Sequence, residues 1–152
     1  GRMPWSDALP YVAGQFGGAF AASGLLRGLF PQHATLGATL PAGAATQSFT
    51  LEVVLTAILM FVILNVSTGA KEKGITAGIA VGAVIALEAL FAGPVCGASM
   101  NPARSLAPAA VSGHWEHLWI YLIAPVLGAQ LAVPACRCVQ AEGCCRAVKQ
   151  PA

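Results

Sequence analysis

Asn101 and Arg104 are the two residues of this 152-residue chain whose types and spacing most directly suggest chemistry. They lie in Gly93-Pro94-Val95-Cys96-Gly97-Ala98-Ser99-Met100-Asn101-Pro102-Ala103-Arg104-Ser105. Residues three apart share one face of a helix. That face would offer an amide and a guanidinium to a passing solute, which amounts to hydrogen-bond donors and positive charge without a nucleophile or an acid–base pair. The chemistry needs a helix start at this point, and the local sequence supplies one. Gly93, Pro94 and Gly97 are expected to stop the preceding helix. Asn101 is a good N-cap, and Pro102 suits the first helical position, where no amide hydrogen is needed. Arg104 then falls in the first turn, where a cation opposes the helix dipole at a cost of roughly 0.3–1 kcal/mol. A charge set against the local rule calls for a function, and a pore supplies one.

The composition fits a membrane protein. The chain is 57% hydrophobic and 9% charged, against about 25% charged in soluble domains. A formal charge of +2 is too small to suggest a nucleic-acid partner. The start, Gly1-Arg2-Met3-Pro4-Trp5, lacks the layout of a secretory signal. It does not open on Met, and the chain is expected to be a fragment of a longer protein.

Four apolar stretches, near residues 8–30, 49–67, 74–92 and 118–136, are long enough to cross hydrocarbon roughly 30 Å thick, which takes about 20 residues. The first is rich in Gly and Ala, which let helices approach closely in lipid. The last holds Pro125, which neighbouring helices in a bundle can accommodate. Residues 31–48 hold no charged side chain, whereas the next connection carries Lys71 and Lys73 and the tail Arg137, Arg146 and Lys149. The positive-inside rule puts both termini and the Lys71/Lys73 loop in the cytoplasm and residues 93–113 on the outer side, with Arg27 as the exception. A helix from Pro102 to about residue 110 would be roughly 15 Å long, half a hydrocarbon core. The irregular backbone before it survives at membrane depth only when buried in protein or lining water. A re-entrant half-helix satisfies both conditions. The plainer alternative is an extracellular loop with a capped surface helix.

The nine residues from Gly97 to Ser105 resemble the second Asn-Pro-Ala signature of the aquaporin family. The likeness extends to Gln15, to Glu52 with Thr56, and to Trp119-Ile120-Tyr121 with Pro125 and Gly128-Ala129. It implies an all-α membrane protein, an aquaporin-like right-handed helix bundle. Here the bundle has four transmembrane helices plus one re-entrant half-helix. Residues 1–136 would be a partial channel domain holding family helices three to six, and 137–152 a cytoplasmic Cys-rich tail. Nothing resembles the family's first two helices or first Asn-Pro-Ala, so the chain supplies one of the two facing asparagines and is expected not to conduct alone.

The resemblance implies a passive channel rather than an enzyme, with no cofactor. Asn101, Pro102 and Ala103 would form the pore motif. Ala89, Ala98 and Arg104 would form the constriction, which two small residues make wide. The carbonyls of Gly97, Ser99 and Met100 would line the pore, and Gln15 and Glu52 would brace the re-entrant stretch. Such a filter favours glycerol, urea, ammonia or metalloid hydroxides, with water, and bars cations and protons. The wording around Gly93-Pro94 and Ser99-Met100 is closest to the nodulin-like and bacterial solute-conducting branches. It implies a bacterial plasma (inner) membrane, the lipid bilayer and small neutral solutes as partners, and a homotetramer.

Other readings stay open. Glu88 is either neutral and hydrogen-bonded or at the pore mouth. His33, His114 and His117 are surface histidines or a pH gate. Cys136, Cys138, Cys144 and Cys145 are free cytosolic thiols or weak candidates for a zinc or metalloid site. The rival classes are half of a secondary transporter and a non-conducting partial protein.

Overall fold

The computed structural model describes residues 4–68 and 75–139. The Lys71/Lys73 loop, Cys144, Cys145 and the rest of the tail lie outside the described residues. Five helices follow in order: α1 (Trp5–Leu29), α2 (Ala45–Thr68), α3 (Ile75–Cys96), α4 (Pro102–Ser112) and α5 (Leu118–Val139). The fold is a truncated aquaporin-like bundle, all helical among the described residues. Ala45–Ser67, Thr76–Cys96 and Leu118–Val139 are long and apolar enough to cross a membrane. α1 has the length, at 25 residues, but Pro10, Gln15 and its many glycines dilute its hydropathy. The expected four spans are therefore matched in length by four helices and in apolarity by three.

α2 is the hub, packed most extensively on α5 and also on α3, while α4 bridges α1 and α5. The α2–α5 contact depends on Gly128. A Cβ there would come within 2.9 Å of Thr56 Cβ and 3.0 Å of the Ala57 nitrogen, so the missing side chain lets the backbones approach. One apolar cluster joins Leu55, Ala92, Cys96 and Ala98, and a second joins Ile120, Tyr121 and Ala124 to Ala45, Phe49 and Val53. The outward faces stay apolar, with Leu9 77% and Leu90 78% exposed. A bilayer or further helices cover such faces, since water does not favour them.

One boundary differs from expectation. α3 does not stop at Gly93 or Pro94 but continues to Cys96. Pro94 costs α3 a hydrogen bond and crowds the Leu90 carbonyl, but the last turn is held from outside, with the Val95 carbonyl accepting the Ala42 N–H and the Cys96 carbonyl the Tyr121 hydroxyl. The helix ends where the backbone turns left-handed, at Gly97 (φ 86°) and Ala98 (φ 42°). α4 ends as the sequence suggests, on the left-handed Gly113 (φ 83°), whose N–H donates to the Ala109 carbonyl.

Candidate functional site

The site is built on the turn between α3 and α4. Besides Gly97, Ala98 and Met100 (φ 52°) hold left-handed backbone there, a conformation that costs a non-glycine residue roughly 1–2 kcal/mol. Glu52 offsets that cost. It is fully buried, and its Oε1 and Oε2 accept the Ser99 and Met100 N–H groups at 2.8 and 2.9 Å. A trans peptide sets N–H and C=O on opposite sides, so the Ala98 and Ser99 carbonyls point away from Glu52. Met100 lines a cavity, and Gly97 abuts Thr39. Tyr121 steadies the turn from α5, donating its hydroxyl to the Cys96 carbonyl at 2.8 Å.

Asn101 begins α4. Its Oδ1 accepts the Ala103 N–H at 2.9 Å and the Arg104 N–H at 3.4 Å, which satisfies two of the amides left over at a helix start. With Oδ1 so engaged, the Nδ2 hydrogens have no partner among the described residues. Asn101 is exposed and, with Ala103, Arg104, Tyr11, Gln15 and Gly18, lines a cavity of about 750 Å³. On the other side of the helix start, Met100 and Pro102 line a second cavity of about 410 Å³ with Thr56, Met60, Pro125 and Gln130. Those partners sit midway along α2 and α5, so the helix start lies at mid-span. This corrects the surface-loop alternative, as does the burial of Ala103, Ser105, Ala107, Pro108 and Ala109 in α4. Among the described residues, no carboxylate lines either cavity.

The segment between α1 and α2 closes the site from the side. Arg104 donates through one guanidinium nitrogen to the Gly37 carbonyl at 2.8 Å, and the Thr39 hydroxyl donates to Ser105 Oγ at 2.7 Å. Arg27, the exception to the charge rule, donates to the Val111 carbonyl at 3.0 Å. It thereby ties α1 to the C-terminal end of α4, where a cation suits the helix dipole. Its exceptional place in the charge pattern marked Arg27 as needing a partner, but nothing in the sequence pointed to Val111.

The remaining expected site residues are dispersed. Ala89 is exposed on α3 and Ala98 is packed in the core cluster, so of the three constriction residues only Arg104 lines the larger cavity. Gln15 is exposed and faces that cavity.

The sequence profile of the family described as MIP, Major intrinsic protein, matches residues 1–135. The chain belongs to the major intrinsic protein family. It is 50% identical over 130 residues to Aquaporin NIP1-1 of Zea mays, which covers 85% of this chain and 46% of that protein. It is 48% identical over 129 residues to Nodulin-26 of Glycine max, with 84% and 48% covered. The chain thus spans about half the length of the curated relatives it matches. Family membership and the apolar helices make it an integral membrane protein. The expectation of a bacterial protein in a bacterial plasma membrane is corrected, because these relatives are plant proteins.

Two other sequence candidates fall outside the site. Cys136 is buried and Cys138 exposed, as residues two apart on a helix point different ways. Glu88 is 2% exposed, and among the described residues neither carboxylate oxygen has a hydrogen-bond partner, which corrects its reading as hydrogen-bonded. It sits one turn from Ala92, on the stripe of α3 that packs against the apolar Leu55 cluster. Glu88→Leu is therefore expected to stabilise the chain by about 1–3 kcal/mol, the cost of an unsatisfied buried polar group. The check is a higher unfolding temperature in detergent.

Proposed function

We propose that this chain forms one half of a passive membrane channel for water and small neutral solutes such as glycerol, urea, ammonia or metalloid hydroxides, and that it excludes cations and protons. The observation that carries the reading is Asn101. Its oxygen is engaged in the helix cap, its amide nitrogen has no partner among the described residues, and it lines a cavity together with Arg104. Donors and positive charge at a helix start favour solute lone pairs and repel cations. A neutral hydroxylated solute can exchange hydration for the Asn101 amide and the turn carbonyls. By the family resemblance the small residues Ala89 and Ala98 would leave the constriction of the complete channel wide, although of the three constriction residues only Arg104 lines the cavity in this structure. Glu52 acts as a brace through the two amide bonds already described, whereas Gln15, expected as a second brace, lines the cavity instead. Asn101 to Ala103 are the pore motif, both termini lie in the cytoplasm, and the complete channel assembles as a homotetramer. No catalytic step is required.

The pore is completed by a second re-entrant half carrying its own donor asparagine. Proteoliposomes holding these 152 residues alone are expected to pass glycerol and water no faster than protein-free vesicles. The same residues fused behind the unmatched half of soybean Nodulin-26 are expected to pass both faster, by stopped-flow light scattering. Flux through the 152 residues alone would overturn the half-pore reading, and an inert fusion that folds and inserts would overturn the channel reading.

A further inference from the structure

Three buried hydroxyls connect the segment before α2 to Asn101. Thr39 is 6% exposed, Ser99 5% and Ser105 fully buried. Thr39 donates to Ser105 Oγ at 2.7 Å, Ser105 and Ser99 Oγ are hydrogen-bonded to each other, and Ser99 donates to the Asn101 carbonyl at 2.9 Å. Each hydroxyl has one hydrogen. Because Ser99 spends its own on Asn101, the hydrogen between the serines comes from Ser105, and the one between Ser105 and Thr39 comes from Thr39. The chain therefore runs one way, from Thr39 through Ser105 and Ser99 to the Asn101 carbonyl. Ser99 Oγ also accepts the Asn101 N–H at 3.4 Å, so both backbone groups of the pore residue are held by the serine at the end of the chain.

We infer that Thr39 is a positioning residue for Asn101, acting through Ser105 and Ser99 from a segment distant in sequence. This inference rests on the pore role proposed above. Ser105 lies four residues after Asn101, and a helical serine readily donates back to the carbonyl four residues earlier. The Thr39 bond holds Ser105 turned to Ser99 instead. Without it, Ser105 competes for the Asn101 carbonyl and displaces Ser99, and Asn101 loses the contacts that orient it. Thr39 also seats the turn itself, since a Cβ at Gly97 would meet its Cβ and Cγ2 at 3.0 Å. Its methyl group gives shape and its hydroxyl gives direction, and the two roles separate by mutation.

Thr39→Val keeps the shape and deletes the hydroxyl, and Thr39→Ser does the reverse. In the full chain in detergent micelles, Thr39→Val is expected to shift the Asn101 side-chain amide NMR signals and to speed amide exchange at Ala103 and Arg104 at least threefold. Thr39→Ser should restore both. Ser99→Ala should give the same change, and the Thr39→Val/Ser99→Ala double variant should add nothing, as expected for members of one chain. In the fusion channel, Thr39→Val should alter the glycerol-to-water permeability ratio at least threefold. Unchanged Asn101 signals in Thr39→Val, or additive effects in the double variant, would overturn the inference. Shifted signals without flux in any version would leave it standing and count against the channel reading instead.

Discussion

Glu52→Gln is expected to destabilise the chain by on the order of 3–5 kcal/mol, because a carboxylate that accepts two buried amides has no neutral substitute. The glutamine oxygen can take the place of either Oε1 or Oε2, but its amide nitrogen then faces the other N–H, donor against donor. Either Ser99 or Met100 loses the bond it makes at 2.8 or 2.9 Å, and the amide nitrogen of the glutamine is left facing it from a fully buried side chain. Ala98 and Met100 keep their left-handed backbone only while those bonds hold, so the turn relaxes as well. The measurement is thermal unfolding in detergent followed by tryptophan fluorescence, with Glu88→Gln as the control. Glu88 has no hydrogen bond to lose among the described residues, so that control should shift the midpoint far less. Equal midpoints for Glu52→Gln and the unmodified chain would show that the turn stands without its carboxylate.

The contrast between these two acids shows how far the sequence could be read. Both are buried glutamates in apolar helices, and composition alone does not tell them apart. The long spans were legible because apolar length is a local property, and α4 was legible because Asn, Pro and Gly mark its ends. The end of α3 was legible at Gly97, whose left-handed φ stops the helix, but not at Gly93 or Pro94, because the contacts that carry the helix past them come from distant segments. The contacts that shape the site were the least legible. Thr39 meets Ser105 across 66 positions, and Arg27 meets Val111 across 84. Neither pair has a spacing or pattern that announces it, because each depends on how α1, the segment after it and α4 come together in space. The positions aligned with the constriction show the same limit from the other side. Arg104 reaches the cavity, while Ala89 and Ala98 are oriented by the packing of α3 on α2.

Asn101→Asp is expected to separate folding from conduction. Aspartate is as good an N-cap as asparagine, and its charge favours a helix start by about 0.3–1 kcal/mol. One carboxylate oxygen can keep the Ala103 and Arg104 amides that Oδ1 now holds. The unfolding temperature should therefore stay level or rise slightly. The cavity, however, changes sign. The two hydrogens of Nδ2 give way to an acceptor oxygen carrying negative charge, beside Arg104 in a site that otherwise has no carboxylate. A neutral hydroxylated solute then meets an acceptor where it needs a donor, and Arg104 is drawn from the Gly37 carbonyl toward the new charge across the space the solute must cross. In the fusion channel, glycerol permeability is expected to fall at least tenfold, equivalent to about 1.4 kcal/mol or more in the barrier. Exclusion of small cations should weaken at the same time, because the positive field at the helix start is partly cancelled. A folded Asn101→Asp channel with unchanged glycerol flux would mean that the Asn101 amide hydrogens do not meet the solute, and the donor role would pass to Arg104.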